Sequence, residues 1–82
     1  MITGRIKTLD VANRRVVIAT PEGKEMTLTF PAGANIEVAE PETMGTMGGE
    51  LEDLQEGYYV EVEVSEYSAD GSCTCASLVC VS

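Results

Sequence analysis

Arg14-Arg15-Val16-Val17-Ile18-Ala19-Thr20-Pro21-Glu22-Gly23-Lys24-Glu25-Met26-Thr27-Leu28-Thr29-Phe30 is the stretch that sets the fold class. Val16, Ile18 and Thr20 fall on one side of an extended chain, with Arg15, Val17 and Ala19 opposite. Met26, Leu28 and Phe30 then alternate with Glu25, Thr27 and Thr29. Successive side chains of extended backbone point to opposite faces, so a period of two marks a strand with one face on a core. Between the two runs stands Thr20-Pro21-Glu22-Gly23. Proline presets the φ of a type I turn, and glycine accepts the left-handed conformation that follows it. The two runs are therefore predicted as a β-hairpin.

The same grammar extends outward in both directions. Residues 2–9 place Ile2, Gly4 and Ile6 on one face and Thr3, Arg5 and Lys7 on the other, and Asp10–Asn13 supply a turn. Gly4 within a strand suggests a bulge or a sharp bend. Residues 58–67 turn Val60, Val62 and Val64 inward and Tyr59, Glu61, Glu63 and Ser65 outward. Asp70-Gly71 reverses the chain into a fifth run, 73–81. The parity of that run is mixed: Val79 and Val81 share one face, Leu78 and Cys80 the other, and Ala76 is out of step, as a bulge would make it.

Residues 31–49 differ in character. Ile36-Glu37-Val38 is a short β-like stretch, and Thr43-Met44-Gly45-Thr46-Met47-Gly48-Gly49 reads as a flexible loop. Within 50–55, Leu51 and Leu54 share one side of a single helical turn that plugs the end of a barrel, and Gly57 stops it. The expected fold is all-β: one small domain over residues 1–82, a five-stranded antiparallel OB-like barrel. Strands one to three form a meander, 31–57 crosses over one end, and a final hairpin closes the sheet. Its expected core is Ile2, Ile6, Val16, Ile18, Met26, Leu28, Phe30, Ile36, Leu51, Leu54, Val60, Val62, Val64, Val79 and Val81.

Composition restricts function more than it defines it. Fourteen acidic residues against five basic ones give a net charge of −9. That field repels phosphate backbones, whose affinity for proteins rests on Lys and Arg. There is no histidine, which removes the commonest general base and metal ligand. No Ser–His–Asp set and no phosphate-cradling Gly-x-x-x-x-Gly-Lys loop is present, so no enzymatic activity and no cofactor are expected. No apolar run suits a membrane span, and the N-terminal residues lack the apolar core of a signal peptide. The protein is expected to be cytoplasmic as the chain stands, or exported if a leader has been removed, and a monomer or weak homo-oligomer.

Three candidate sites follow. Binding of an unknown protein or small ligand is expected through the 39–50 loop, with Met44 and Met47, and through a barrel face that includes Tyr59. Single-stranded nucleic acid is the alternative, since Arg5, Lys7, Arg14, Arg15 and Lys24 all lie in the first 24 residues and could form one basic flank. Tyr58, Tyr59 and Tyr67 lie in the acidic half, so base-stacking rings and cations do not visibly converge. Thiol or metal chemistry at Cys73, Cys75 and Cys80 is the third. Met44 and Met47 would be further soft ligands, but three thiols without histidine fall short of a structural zinc set. An odd cysteine count argues against a complete disulfide framework, and small buried apolar residues are the simpler expectation. Glu37, Glu40, Glu42, Glu50, Glu52 and Asp53 are acidic but lack the spacing of a calcium loop.

Ile2-x-Gly4-x-Ile6, the Leu51-Glu52-Asp53-Leu54-Gln55-Glu56-Gly57-Tyr58-Tyr59-Val60-Glu61-Val62 stretch, Asp70-Gly71 and Ala76-x-x-Val79-x-Val81 together resemble the bacterial domain of unknown function 5666. The resemblance covers most of the chain and implies a small OB-like or related barrel, often found in exported bacterial proteins, with no established activity or binding residues. The three cysteines and the Met-Gly loop depart from it. Gly57-x-x-Val60-x-Val62, with Tyr67 and Gly71, is also similar to the RNA-binding barrel of translation initiation factor one, a role that the scarcity of basic residues disfavours.

Overall fold

The computed structural model describes residues 1–40 and 45–81, without the side chain of Glu40. In chain order it contains β1 (Ile2–Asp10), β2 (Arg15–Ala19), β3 (Glu25–Thr29), β4 (Asn35–Glu40), β5 (Gly45–Gly48), a 3₁₀ turn (Leu51–Asp53), β6 (Tyr59–Tyr67) and β7 (Cys73–Cys80). Strands β3, β2, β1, β6 and β7 lie side by side in that order, and β7 returns to β3 to close a five-stranded barrel. Four neighbouring pairs are antiparallel, as the sequence predicts. The closing pair β3/β7 is parallel, with Leu28 opposite Cys73 and Thr29 opposite Thr74. The reason is arithmetic: a closed ring with an odd number of strands cannot alternate direction all the way round.

β4 and β5 are additions to this ring. β4 runs parallel to β7, from Asn35 opposite Ser77 to Val38 opposite Cys80. β3 and β4 thus occupy one edge of β7 in succession, with residues 30–34 carrying the chain from one to the other. β5 pairs antiparallel with β4, Met47 opposite Val38 and Thr46 opposite Ala39. The flexible loop expected over 43–49 is therefore a strand over Gly45–Gly48. Two of its four residues are glycine, which favours strands poorly, so the neighbouring strand rather than local preference orders it.

Three hairpin turns among the described residues share one plan. Gly23 N–H donates to Thr20 O at 2.8 Å, Gly71 N–H to Ser68 O at 3.1 Å and Arg14 N–H to Val11 O at 3.1 Å. Each donor is left-handed, with φ of 85°, 91° and 54°.

The buried core is aliphatic apart from Phe30 and the three cysteines. Ile6, Val16, Ile18, Leu28, Phe30, Ile36, Leu51, Leu54, Val60 and Val62 are buried as expected. Ile2, Met26 and Val64 pack against them half-buried. The last strand corrects the prediction: Val79 is half-buried and Val81 is 40% exposed, while Leu78, Cys80, Cys73 and Cys75 are buried. The cause is a bulge. The β6 partner of Ser77 is Glu63 and that of Cys75 is Val64, so Ala76 has no partner in the ladder and points to solvent. One extra residue switches the inward parity from odd to even, as the mixed pattern of the run suggested.

A second irregularity, between Ile6 and Thr8 of β1, lets Leu9 follow Ile6 onto the inner side. Of the two readings of Gly4, a bulge or a sharp bend, the bulge stands instead at Lys7. Gly4 serves a different need: a Cβ there would sit 2.6 Å from Ala19 O, so the close approach of β1 to β2 excludes any side chain. After β5, the 3₁₀ turn buries Leu51 and Leu54. It is fastened by Leu54 N–H to Leu51 O at 3.1 Å and by Glu50 N–H to Asp53 Oδ2 at 2.9 Å. No helix among the described residues is long and apolar enough to cross a membrane.

Candidate functional site

The outer face of β1, β2 and β3 carries most of the chain's positive charge. Alternation aims Arg5 and Lys7 outward from β1, Arg15, Val17 and Ala19 from β2, and Glu25, Thr27 and Thr29 from β3. The hairpin register sets Arg15 beside Thr29, Val17 beside Thr27 and Ala19 beside Glu25. Of the five basic residues expected to form one flank, Arg5, Lys7 and Arg15 share this face, while Arg14 and Lys24 stand in the connections on either side of β2, and the five are not equivalent.

Three of them are committed to the protein itself. Arg5 donates from Nη1 to Gly57 O at 3.0 Å, and its guanidinium lies 5.5 Å from the centre of the Tyr59 ring. Lys7 forms an ion pair with Glu25, their strands flanking β2. Arg14, half-buried, donates from Nε to Phe30 O at 2.7 Å and from Nη2 to Pro31 O at 3.4 Å. Its backbone carbonyl accepts Phe30 N–H at 2.9 Å. Arg14 thus ties the first turn to the end of β3 rather than facing a ligand. The side chains of Arg15 and Lys24 make no hydrogen bond or ion pair among the described residues.

Arg15 and Lys24 line a groove of about 540 Å³, with Glu25, Thr27 and Thr29 along β3 and Asp70, Gly71 and Ser72 on the opposite wall. That wall is the β6–β7 turn, brought against β3 by the parallel closure at Leu28/Cys73. Both carboxylates in the groove are already engaged. Glu25 holds Lys7, and Asp70 Oδ1 accepts Ser72 N–H at 3.0 Å and Ser72 Oγ–H at 2.7 Å. Those two hydrogen bonds, aided by Arg15, hold the Asp70 carboxyl below its ordinary range. The groove therefore offers two uncommitted cations and the hydroxyls of Thr27, Thr29 and Ser72. Arg15 and Lys24 were among the sequence candidates. The threonines carried only the signal of outward alternation, and the turn residues carried none, because their approach to β3 depends on a contact between distant parts of the chain.

The remaining candidates are dispersed. Met47 is 52% exposed on β5, and Met44 lies outside the described residues, as does Glu42. Tyr59, half-buried under Arg5, borders a shallow hollow of about 330 Å³ with Gly4, Ala19, Thr20 and Pro21. Cys73, Cys75 and Cys80 all face the core, and no disulfide joins them. Desolvation, with Cys73 alongside, pushes the Cys75 thiol up from 9.0 to about 12, so it stays protonated at neutral pH and is a poor nucleophile. Among the described residues, no three or more His, Cys, Asp or Glu side chains are gathered closely enough to hold a metal ion. No family model, curated protein or solved structure matches the chain.

Proposed function

We propose that this chain is a non-enzymatic binding module that takes a small polar ligand with an anionic group in the groove between β3 and the β6–β7 turn. One observation carries the proposal. In a molecule of net charge −9, two cations line this concave surface with no hydrogen bond or ion pair among the described residues, while the two carboxylates beside them already accept from Lys7 and Ser72. Arg15 and Lys24 are both exposed, so an anionic ligand can reach them and form charge-assisted hydrogen bonds. Thr27, Thr29 and Ser72 would fix its orientation. The likeness of the chain to the bacterial barrel family named above belongs to the same proposal, supported by the turn at Leu51–Leu54 that leads through Gly57 into β6.

Single-stranded nucleic acid is the second reading. It is favoured by position, since OB-like barrels take oligonucleotides on the corresponding strand face and turn. It is weakened by the absence of any aromatic side chain from the lining residues. A titration of isotope-labelled protein separates the two. Citrate and inorganic phosphate at low salt are expected to shift the backbone amides of Thr27, Thr29, Gly71 and Ser72, and the double variant Arg15→Glu/Lys24→Glu to abolish the effect. No shift at millimolar ligand, or shifts confined to another face, would refute the proposal. Tighter, salt-sensitive binding of an eight-residue oligothymidine at the same amides would favour the second reading.

A further inference from the structure

We propose that the open edge of β5 docks an extended, lysine- or arginine-bearing segment of a partner protein, which joins the sheet as an additional strand. The site is separate from the groove on β3 and does not depend on it.

The backbone supplies the first argument. Among the described residues β5 is the last strand in the sheet order and pairs only with β4. Gly49 N–H donates to Ile36 O at 2.9 Å. Facing alternates along an antiparallel ladder, so Met47 also turns its N–H and C=O toward β4, while Thr46 and Gly48 turn theirs to the open side. All four residues of β5 are exposed. Sheet edges are ordinarily guarded by lysine, proline, an inward charge or a bulge. Gly45-Thr46-Met47-Gly48 has none of these.

Side chains supply the second. Met47 stands opposite Val38, which packs on the core, so Met47 continues the apolar side of β4 toward the open edge. An incoming strand would find an apolar contact on that side. On the other side, Glu37 is held in place by Thr46 Oγ and by Asn35 Nδ2, the latter at 2.7 Å.

Charge selects the occupant. No lysine or arginine follows Lys24, whereas twelve of the fourteen acidic residues do. The Gly48 end of β5 opens on a groove of about 420 Å³ with Gly49, Glu50 and Asp53 in its lining. Arg14 lines it too, but its guanidinium is taken by the carbonyls of Phe30 and Pro31. A second copy of this chain would bring like charges together along the edge. A cationic strand gains main-chain hydrogen bonds from Thr46 and Gly48 and charge complementarity from Glu37, Glu50 and Asp53.

The test uses a fluorescein-labelled octapeptide of alternating lysine and valine, read by polarisation at low salt and by amide hydrogen exchange. Saturable binding is expected, with exchange at Thr46 and Gly48 slowed by about tenfold or more and exchange at Met47 little changed. A glutamate–valine peptide, and the lysine peptide N-methylated at alternate amides, should not bind. Gly48→Pro, which removes an outward N–H at a position where an added Cβ meets nothing within 4 Å, should abolish binding while leaving the circular dichroism intact. Equal binding of the N-methylated peptide, or binding without protection at Thr46 and Gly48, overturns the proposal. So does peptide-free protection of those amides that rises with protein concentration, which would identify a second copy as the occupant.

Discussion

Arg14 occupies the position that glycine fills in the β2–β3 and β6–β7 turns. Its φ of 54° matches the left-handed donors Gly23 and Gly71, yet it carries a long side chain. Left-handed backbone costs a non-glycine residue roughly 1–2 kcal/mol through Cβ–carbonyl crowding. The offset is visible: the guanidinium reaches Phe30 O and Pro31 O, and the Arg14 carbonyl accepts Phe30 N–H. Charge-assisted hydrogen bonds of this kind contribute about 1.5–3 kcal/mol each at best. The two effects separate by mutation. Arg14→Ala keeps the strain and loses the side-chain bonds, so it should destabilise by about 2 kcal/mol. Arg14→Gly loses the same bonds but relaxes the backbone, and urea unfolding should find it the more stable of the two by about 1 kcal/mol. Equal stabilities would mean that the turn stores no strain.

At the scale of the element, β7 shows how one residue sets the inside of a strand. Cys73 and Cys75 enter the core before the bulge at Ala76, and Leu78 and Cys80 enter after it. Deleting Ala76 restores a strict period of two and must turn one of these pairs to solvent. The shortened chain is expected to lose its cooperative thermal transition and its dispersed amide spectrum. A variant that unfolds sharply near the parent temperature would show that the bulge is dispensable.

The same element marks how far the sequence could be read. β1, β3 and β6 declared their faces because charge or hydroxyl alternates with aliphatic side chains, whereas in β2 only Arg15 marks the outer side. In β7 both parities are apolar, since Cys73, Cys75 and Val79 oppose Leu78 and Cys80, and only the ladder to β6 chooses between them. β5 was opaque for a different reason, its glycines carrying no periodic signal. The groove was half legible: Arg15 and Lys24 stood out as cations, but the wall at Asp70–Ser72 arrives through the contact of Leu28 with Cys73.

For the molecule as a whole, charge works against compaction. The net charge is −9, the radius of gyration 11.9 Å, and the one ion pair among the described residues is Lys7–Glu25. That radius is comparable with the screening length of about 10 Å at 0.1 M salt. Self-repulsion thus acts across the entire barrel in dilute buffer and fades at moderate ionic strength. Scanning calorimetry should show the melting temperature rising by about 4–8 °C between roughly 0.01 M and 0.5 M sodium chloride, equivalent to about 1 kcal/mol for a chain of this size. A flat or falling profile would mean that favourable charge pairs outweigh the repulsion.

The parallel closure also has a temporal meaning. β7 meets β6 through a local hairpin, but it meets β3 and β4 only after the intervening chain has been laid down. Until residues 73–80 have been synthesised, β3, β4 and β6 each hold a ladder side with nothing to bond. The chain therefore stays an open, adhesive sheet until its last strand arrives, and because residues 1–40 hold five basic and five acidic side chains, mutual repulsion protects it only once the acidic second half has been added.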